Sequence, residues 1–324
     1  MSSEHKTCRY ISPEGVRCQE PLHNHNNEHC FWHDTKADKS GSDIKEKLEA
    51  FARTGKPMTG FQLKHADLYD INLVNKKSDA GYDLRHANMD HCNLKLAHMF
   101  SINLYGTSLL KANLSGANLH YADLRRCNLL GINLFNTKIE NTRFGKSILQ
   151  EEDAKKSINN ATQLYEEAEE IYRNIRKAFE YKGLFEYAGH FFYKEMIMRR
   201  MQMPLFSYNR FFSRIVDLFS GYGENPVRVI IFSLALIFVF AIAYFILGVK
   251  LGDEIIAINT SQTFSVNVYH FLQSLYFSVV TFTTLGYGDI VPIGLSRLLS
   301  AIEAFTGSFT IALFVVVFVK KMTR

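Results

Sequence analysis

From Leu84 to Phe144 a leucine or comparable apolar residue falls at every fifth position: Leu84, Met89, Leu94, Met99, Leu104 and onward through Leu134, Ile139 and Phe144. Three earlier centres, Leu63, Leu68 and Leu73, keep the period but are displaced from the rest by one inserted residue near "KKSDAG". A period of five matches neither the 3.6 of an amphipathic helix nor the 2 of a half-buried strand. It suits a coil of short strands and tight turns in which each unit points one large and one small side chain inward. The small residue lies two positions before each centre (Ala66, Ala87, Cys92, Ala97, Ala112, Ala117, Ala122, Cys127), and Asn or Asp usually lies between the two. Asn and Asp favour such turns because their side chains bond to the nearby backbone.

This pattern resembles the pentapeptide-repeat family, A(D/N)LXX, over about 85 residues. The resemblance implies a right-handed quadrilateral β-helix over residues 60–145, with four units per coil. Sixteen units then make four coils, about 19 Å of rod at ~4.8 Å per stacked strand. Cys92 and Cys127 become interior residues. Some members of that family are acidic mimics of DNA. Residues 60–145 carry ten Lys or Arg against seven Asp or Glu, the wrong sign for a mimic, so a rigid scaffold is expected and no nucleic-acid partner.

The remaining chain has two textures. A mean hydropathy of −0.08 averages a polar stretch, residues 1–210, with an apolar one, residues 229–319. The first thirty residues contain no apolar signal-peptide core, so the N-terminal half is expected in the cytosol, where disulfides are rare. Cys8, Cys18, Cys30 and His33 (C-x9-C-x11-C-x2-H) supply three thiols and an imidazole. That set suits tetrahedral zinc, with the C-x2-H pair gripping from one turn. Residues 1–40 are therefore expected to be a zinc-binding module whose structural metal supplies folding energy. The segment is similar to small Cys3His zinc modules. His23, His25 and His29 lie close enough to replace one of these ligands.

Residues 151–204 place Leu164, Ala168, Ile171, Ile175 and Ala178 at helical spacing, and Gly183 interrupts before a second helical stretch. A cytosolic helical hairpin is expected as a connector. In 207–225, Phe211, Phe212, Ile215, Leu218 and Phe219 alternate with Arg210 and Arg214, as in a helix lying on membrane lipid.

Residues 226–324 hold two apolar runs, about 229–249 and 298–319, each long enough to span a bilayer. Arg210, Arg214 and Arg228 precede the first, and Lys320, Lys321 and Arg324 follow the second. The positive-inside tendency puts both termini in the cytosol. Between the runs, 271–282 is apolar but about three helical turns long, too short to cross, and "TTLGYGD" follows it. Non-helical backbone is tolerated at membrane depth only where it is buried or lines a water path, so 271–289 is expected to be a re-entrant pore loop. Gly286 and Gly288 permit backbone conformations that aim carbonyls at an axis.

Thr284, Leu285, Gly286, Tyr287 and Gly288 resemble the TVGYG selectivity filter of potassium channels, with Leu in place of Val, and residues 226–324 resemble the two-span prokaryotic class. The resemblance implies a homotetramer passing potassium as permeant ion through a bacterial inner (plasma) membrane, with Asp289 at the outer mouth. Some relatives carry a pore-helix glutamate that pairs with this aspartate; Val280 stands there instead. Glu303 is a lone carboxylate in the second span, with Ser278 and Thr281 as its nearest expected partners, either bracing the filter or responding to protons. Gly307 matches the family's hinge glycine, with close helix packing as the other reading. Ile311, Phe314, Val315 and Phe318 are gate candidates at the cytosolic end.

The expected fold class is therefore a mixed multidomain chain: β-helix, helical hairpin and two-transmembrane α-helical pore domain. No enzyme constellation and no arginine-studded voltage-sensing helix is visible, so gating is expected to enter from the N-terminal side, through these domains or an unidentified cytosolic ligand or protein. Two other functions fit the same residues: a membrane-anchored interaction scaffold with a non-conducting pore, and a nonselective cation channel.

Overall fold

In the computed structural model, residues 7–23, 28–78, 80–157 and 159–322 are described. The chain divides into two units, Met1–Leu205 and Phe206–Arg324, each with its own hydrophobic core.

In the first unit single parallel bridges stack the repeats. Asp83 bridges Asn103, Asn88 bridges Ser108, Asn93 bridges Asn113 and His98 bridges Asn118, always 20 residues apart. Four repeats therefore make one coil. The bridged positions form four columns of four (Gln62, Asn88, Ser108 and Asn128 in one of them), so sixteen units build four coils. The first coil departs from this rule: Gln62–Asn88, Asp67–Asn93 and Asn72–His98 are 26 residues apart. The insertion between Asn72 and Asp83 is thus a whole repeat plus one residue. A five-residue phase reveals only the remainder, which is why the sequence suggested a single inserted residue.

The centres from Leu63 to Phe144 are buried, and so are the small residues two positions earlier. Where that small residue is polar, it donates to a centre's carbonyl in the preceding coil: Thr107 Oγ1 to Leu84 O at 2.8 Å, Thr137 Oγ1 to Leu114 O at 2.8 Å, and Cys127 Sγ to Leu104 O at 2.9 Å. No buried hydroxyl is left unpaired at these sites, as a dry interior requires. Burial pushes the Cys92 and Cys127 thiols up to about 12, which makes them packing groups rather than nucleophiles. The Asn and Asp positions accept from the backbone two residues on, as in Asp90 N–H to Asn88 Oδ1 at 3.0 Å and Phe135 N–H to Asn133 Oδ1 at 3.0 Å.

Both ends of the coil stack are covered, which removes open sheet edges that would otherwise template association. At the start, helix α1 (Ile44–Arg53) buries Ile44, Leu48 and Ala52 in the same core as Phe61 and Leu63. Trp32 stacks on Phe61, centroids 5.0 Å apart and planes 3° apart. At the far end, α2 (Leu149–Lys156), α3 (Ala161–Tyr181) and α4 (Phe185–Met201) follow, and Phe144 packs edge-on against Phe179 and Phe191. The hairpin expected within 151–204 is α3 and α4; α1 and α2 had no sequence signal strong enough to single them out. Glu151 is buried beneath α3. Burial alone would raise its carboxyl, but hydrogen bonds from Lys155 and Tyr172, with the Lys194 charge, hold it below the usual range.

The second unit comprises α5 (Tyr208–Ser220), α6 (Pro226–Leu247), β1 (Val249–Leu251), β2 (Glu254–Ile256), α7 (Phe264–Phe282), β3 (Ile290–Pro292) and α8 (Ser296–Met322). Helix α5 lies inside the expected 207–225 and leaves Phe211, Phe212, Ile215 and Leu218 exposed. Helices α6 and α8 are long and apolar enough to cross a membrane. Three features differ from expectation. The first span stops at Leu247, because Gly248 turns at φ +89° and Val249 enters β1. The sheet, in the order β2-β1-β3 and antiparallel throughout, was not foreseen. Helix α7 starts seven residues before Phe271 and has 19 residues, about 28 Å at 1.5 Å per residue. The polar Ser265, Asn267 and His270 hid its first turns from an apolar-run reading.

Candidate pore loop and candidate metal centre

Helix α6 begins with Pro226 behind an Asn225 cap, whose side chain accepts from Val227 N–H at 3.1 Å and Arg228 N–H at 3.4 Å. Helix α7 ends at Phe282, and Leu285 N–H closes back on Val280 O at 3.0 Å. In the next residues φ is positive at Thr284 (58°), Gly286 (59°) and Gly288 (77°), and Leu285 and Tyr287 between them do not share it. Left-handed φ at alternate residues turns successive carbonyls toward one side of the segment, and glycine adopts it without strain. The Leu285 and Tyr287 side chains are exposed on the single chain.

Behind this loop three helices meet at Glu303, which is 0% exposed. Tyr244 of α6 donates to Glu303 Oε2 at 2.6 Å, and Ser278 Oγ of α7 lies 2.5 Å from Oε1. Ser278 is one of the two partners expected; the other is Tyr244, not Thr281. Tyr244 was missed because it lies 59 residues away in an apolar run, where a tyrosine reads as one more ring. Gly307 lies where α8 crosses the end of α7: a Cβ there would stand 2.0 Å from the Phe282 carbonyl oxygen. Farther along α8, Phe314 stacks on Phe318 at 5.6 Å, and Ile311, Val315 and Phe318 are exposed. Near its end Lys320 Nζ pairs with Glu224 at 2.5 Å, while Arg228 pairs with Asp217 of α5 at 2.8 Å. Arg324 lies outside the described residues.

In the first unit, Cys8 and Cys18 sit on the two arms of a short antiparallel turn, tied by Cys8 N–H to Glu20 O and Cys18 N–H to Tyr10 O, both 3.0 Å. Cys30 and His33 share one tight turn, closed by His33 N–H to Cys30 O at 3.1 Å. The three sulfurs and a His33 ring nitrogen all lie within 4.8 Å of one another. Cys30 Sγ is 3.2 Å and Cys8 Sγ 3.5 Å from His33 Nδ1, and Cys18 Sγ is 3.9 Å from Cys30 Sγ. His33 Nε2 is 2.8 Å from the Thr59 carbonyl. That carbonyl accepts only, so Nε2 carries the hydrogen and Nδ1 keeps its lone pair for a metal. A hydrogen bond from the Cys30 thiol brings Cys18 down to about 4, and the same bond pushes Cys30 up. The donor set and its geometry fit a single metal ion. His23 and His29 stand outside the cluster, and His25 lies outside the described residues.

The family model described as "Ion channel" matches residues 232–324, and that described as "Pentapeptide repeats" matches residues 112–150. No curated protein matches the chain. Among solved structures, HetL, a pentapeptide repeat protein from the cyanobacterium Nostoc sp. strain PCC 7120, is 31% identical over 28% of this chain and 38% of its own, with a TM-score of 0.25. A pentapeptide repeat protein from the cyanobacterium Cyanothece 51142 is 29% identical over 28% of this chain and 58% of its own, with a TM-score of 0.20. The chain covers less than two thirds of either structure's length. With the coil stack and two membrane-capable helices, the two family-model matches make the chain a membrane protein that joins an ion channel domain to a domain of pentapeptide repeats.

Proposed function

We propose that four copies of the chain surround one axis as a potassium-selective channel, with Thr284, Leu285, Gly286, Tyr287 and Gly288 as its filter and Asp289 at the outer mouth. A potassium ion that sheds its water needs oxygens in the water's place, and rings of backbone carbonyls supply them. The observation that carries this reading is the alternation of φ from Thr284 to Gly288 directly after a helix C-terminus. The negative end of the α7 dipole favours a cation at that point. Gly307 is the hinge candidate, and Ile311, Phe314, Val315 and Phe318 close the cytosolic mouth by excluding water. Lys320 and Lys321 in the last turn of α8, with Arg210, Arg214 and Arg228 before or at the start of α6, support a topology with both termini in the cytosol of a bacterium whose plasma membrane holds the pore. Zinc is the metal assigned to Cys8, Cys18, Cys30 and His33, since three thiolates and an imidazole select it.

Purified protein in planar bilayers, with potassium on one side and sodium on the other, tests the pore. The current should reverse far from zero, at a potential negative on the potassium side. Reversal near zero would mean a nonselective cation channel, and no current would mean a scaffold.

The N-terminal unit is the source of gating in this reading, because an input must favour one state of the gate by differential contacts. Removal of residues 1–145 is expected to change open probability severalfold and leave potassium over sodium selectivity unchanged. Single-channel recording compares the two proteins. Equal open probability across pH and divalent-ion conditions would make the unit a passive tether.

A further inference from the structure

Every short contact around Glu303 can be assigned a hydrogen. Tyr244 donates its own to Oε2 at 2.6 Å. Ser278 Oγ lies 2.5 Å from Glu303 Oε1 and also 2.8 Å from the backbone carbonyl of Ile237 in α6. A serine hydroxyl has one hydrogen, and a carbonyl has none. If Ser278 gives its hydrogen to an ionised Glu303, the approach to Ile237 sets two acceptors together with nothing between them. If it gives that hydrogen to Ile237, the closer contact to Glu303 is the unfilled one. A proton on Glu303 Oε1 satisfies all three contacts at once: Glu303 donates to Ser278, Ser278 to Ile237, and Tyr244 to Glu303.

The charges around the site agree with this count. Helix α6 carries one charged residue, Arg228, in its first turn and paired with Asp217. Helix α7 has no Lys, Arg, Asp or Glu; its His270 is bonded to Ala257 O at 2.9 Å and faces Glu254 at 3.6 Å. On α8, Arg297 is bonded to Pro292 O at 3.2 Å and Lys320 is paired with Glu224. Among the described residues no cation faces Glu303, and an ionised carboxylate there would stand uncompensated in a dry interior.

We propose that Glu303 is a positioning residue held as the neutral acid. It links α8 through Ser278 to the pore helix and through Tyr244 to the outer span, and so sets the depth at which α7 delivers Thr284. This inference rests on the pore reading above. An amide reproduces the neutral pattern, since its NH2 donates to Ser278 and its oxygen accepts from Tyr244. Glu303→Gln is therefore expected to keep the potassium over sodium permeability ratio within about twofold of wild type, and Glu303→Ala to lower it about tenfold, the scale of one lost buried hydrogen bond. Tyr244→Phe should fall between them. The wild-type ratio should not change across the neutral pH range. Infrared spectroscopy of the full-length protein in lipid gives a readout independent of conduction: wild type should show a protonated-carboxyl band that Glu303→Gln lacks. If Gln behaves like Ala, or the band is missing from wild type at neutral pH, the inference is overturned. A wild type without potassium current would instead remove the pore reading, and the infrared comparison would still decide where the proton is.

Discussion

Gly286→Ala should carry no measurable potassium current while the protein still assembles. Nothing lies within 4 Å of the position a Cβ would take, so the loss is not a clash within the chain. It comes from the backbone: φ is +59° at Gly286, a region where an alanine is strained by about 1–2 kcal/mol. Relief of that strain rotates the peptide, and in the proposed tetramer this takes one carbonyl ring out of line at all four copies. Bilayer recording beside size-exclusion chromatography separates loss of conduction from loss of assembly. Normal potassium conduction in this variant would remove the filter assignment.

Cys18→Ser combined with Cys30→Ser should abolish metal binding, about one ion per chain in the parent, and loosen the start of the coil stack. Structural zinc sites of this kind contribute about 10–16 kcal/mol of apparent binding free energy at neutral pH, far more than the local packing of a short segment provides. The chain's one tryptophan reports on this directly. Trp32 is two residues from Cys30, 7% exposed and stacked on Phe61. Elemental analysis should find the metal gone, and chelation of the parent should shift Trp32 emission to the red. Acid should have the same effect, because the ligating thiolates must take up protons. Undiminished metal in the double variant would sink the assignment.

Much of this was legible in the sequence because it rests on local rules. Any stretch with the five-residue period must turn Leu84, Leu104 and Leu124 to one interior, and the apolar runs ending in α6 and α8 follow from composition alone. The proposed filter segment is similarly local: alternate Gly286 and Gly288 already announce left-handed backbone. The C-x2-H pair marks its own turn.

Tertiary structure decided whatever depends on residues far apart in the chain. The six-residue excursion in the first coil is invisible to a phase that repeats every five, and the 26-residue bridges Gln62–Asn88, Asp67–Asn93 and Asn72–His98 count it. The three-stranded sheet pairs Val249 with Pro292 across 43 residues, and three-residue strands carry no period to read. That His33 offers Nδ1 rather than Nε2 depends on the Thr59 carbonyl, which belongs to the segment leading into the coils. The partners of Glu303 are the clearest case. The sequence shows a carboxylate among apolar residues, but whether it keeps its proton depends on Tyr244, Ser278 and the Ile237 carbonyl arriving from two other helices. Periodicity determines which face of an element is buried; only packing determines which polar atoms share that interior, and hydrogen-bond satisfaction there is a property of the assembled helices.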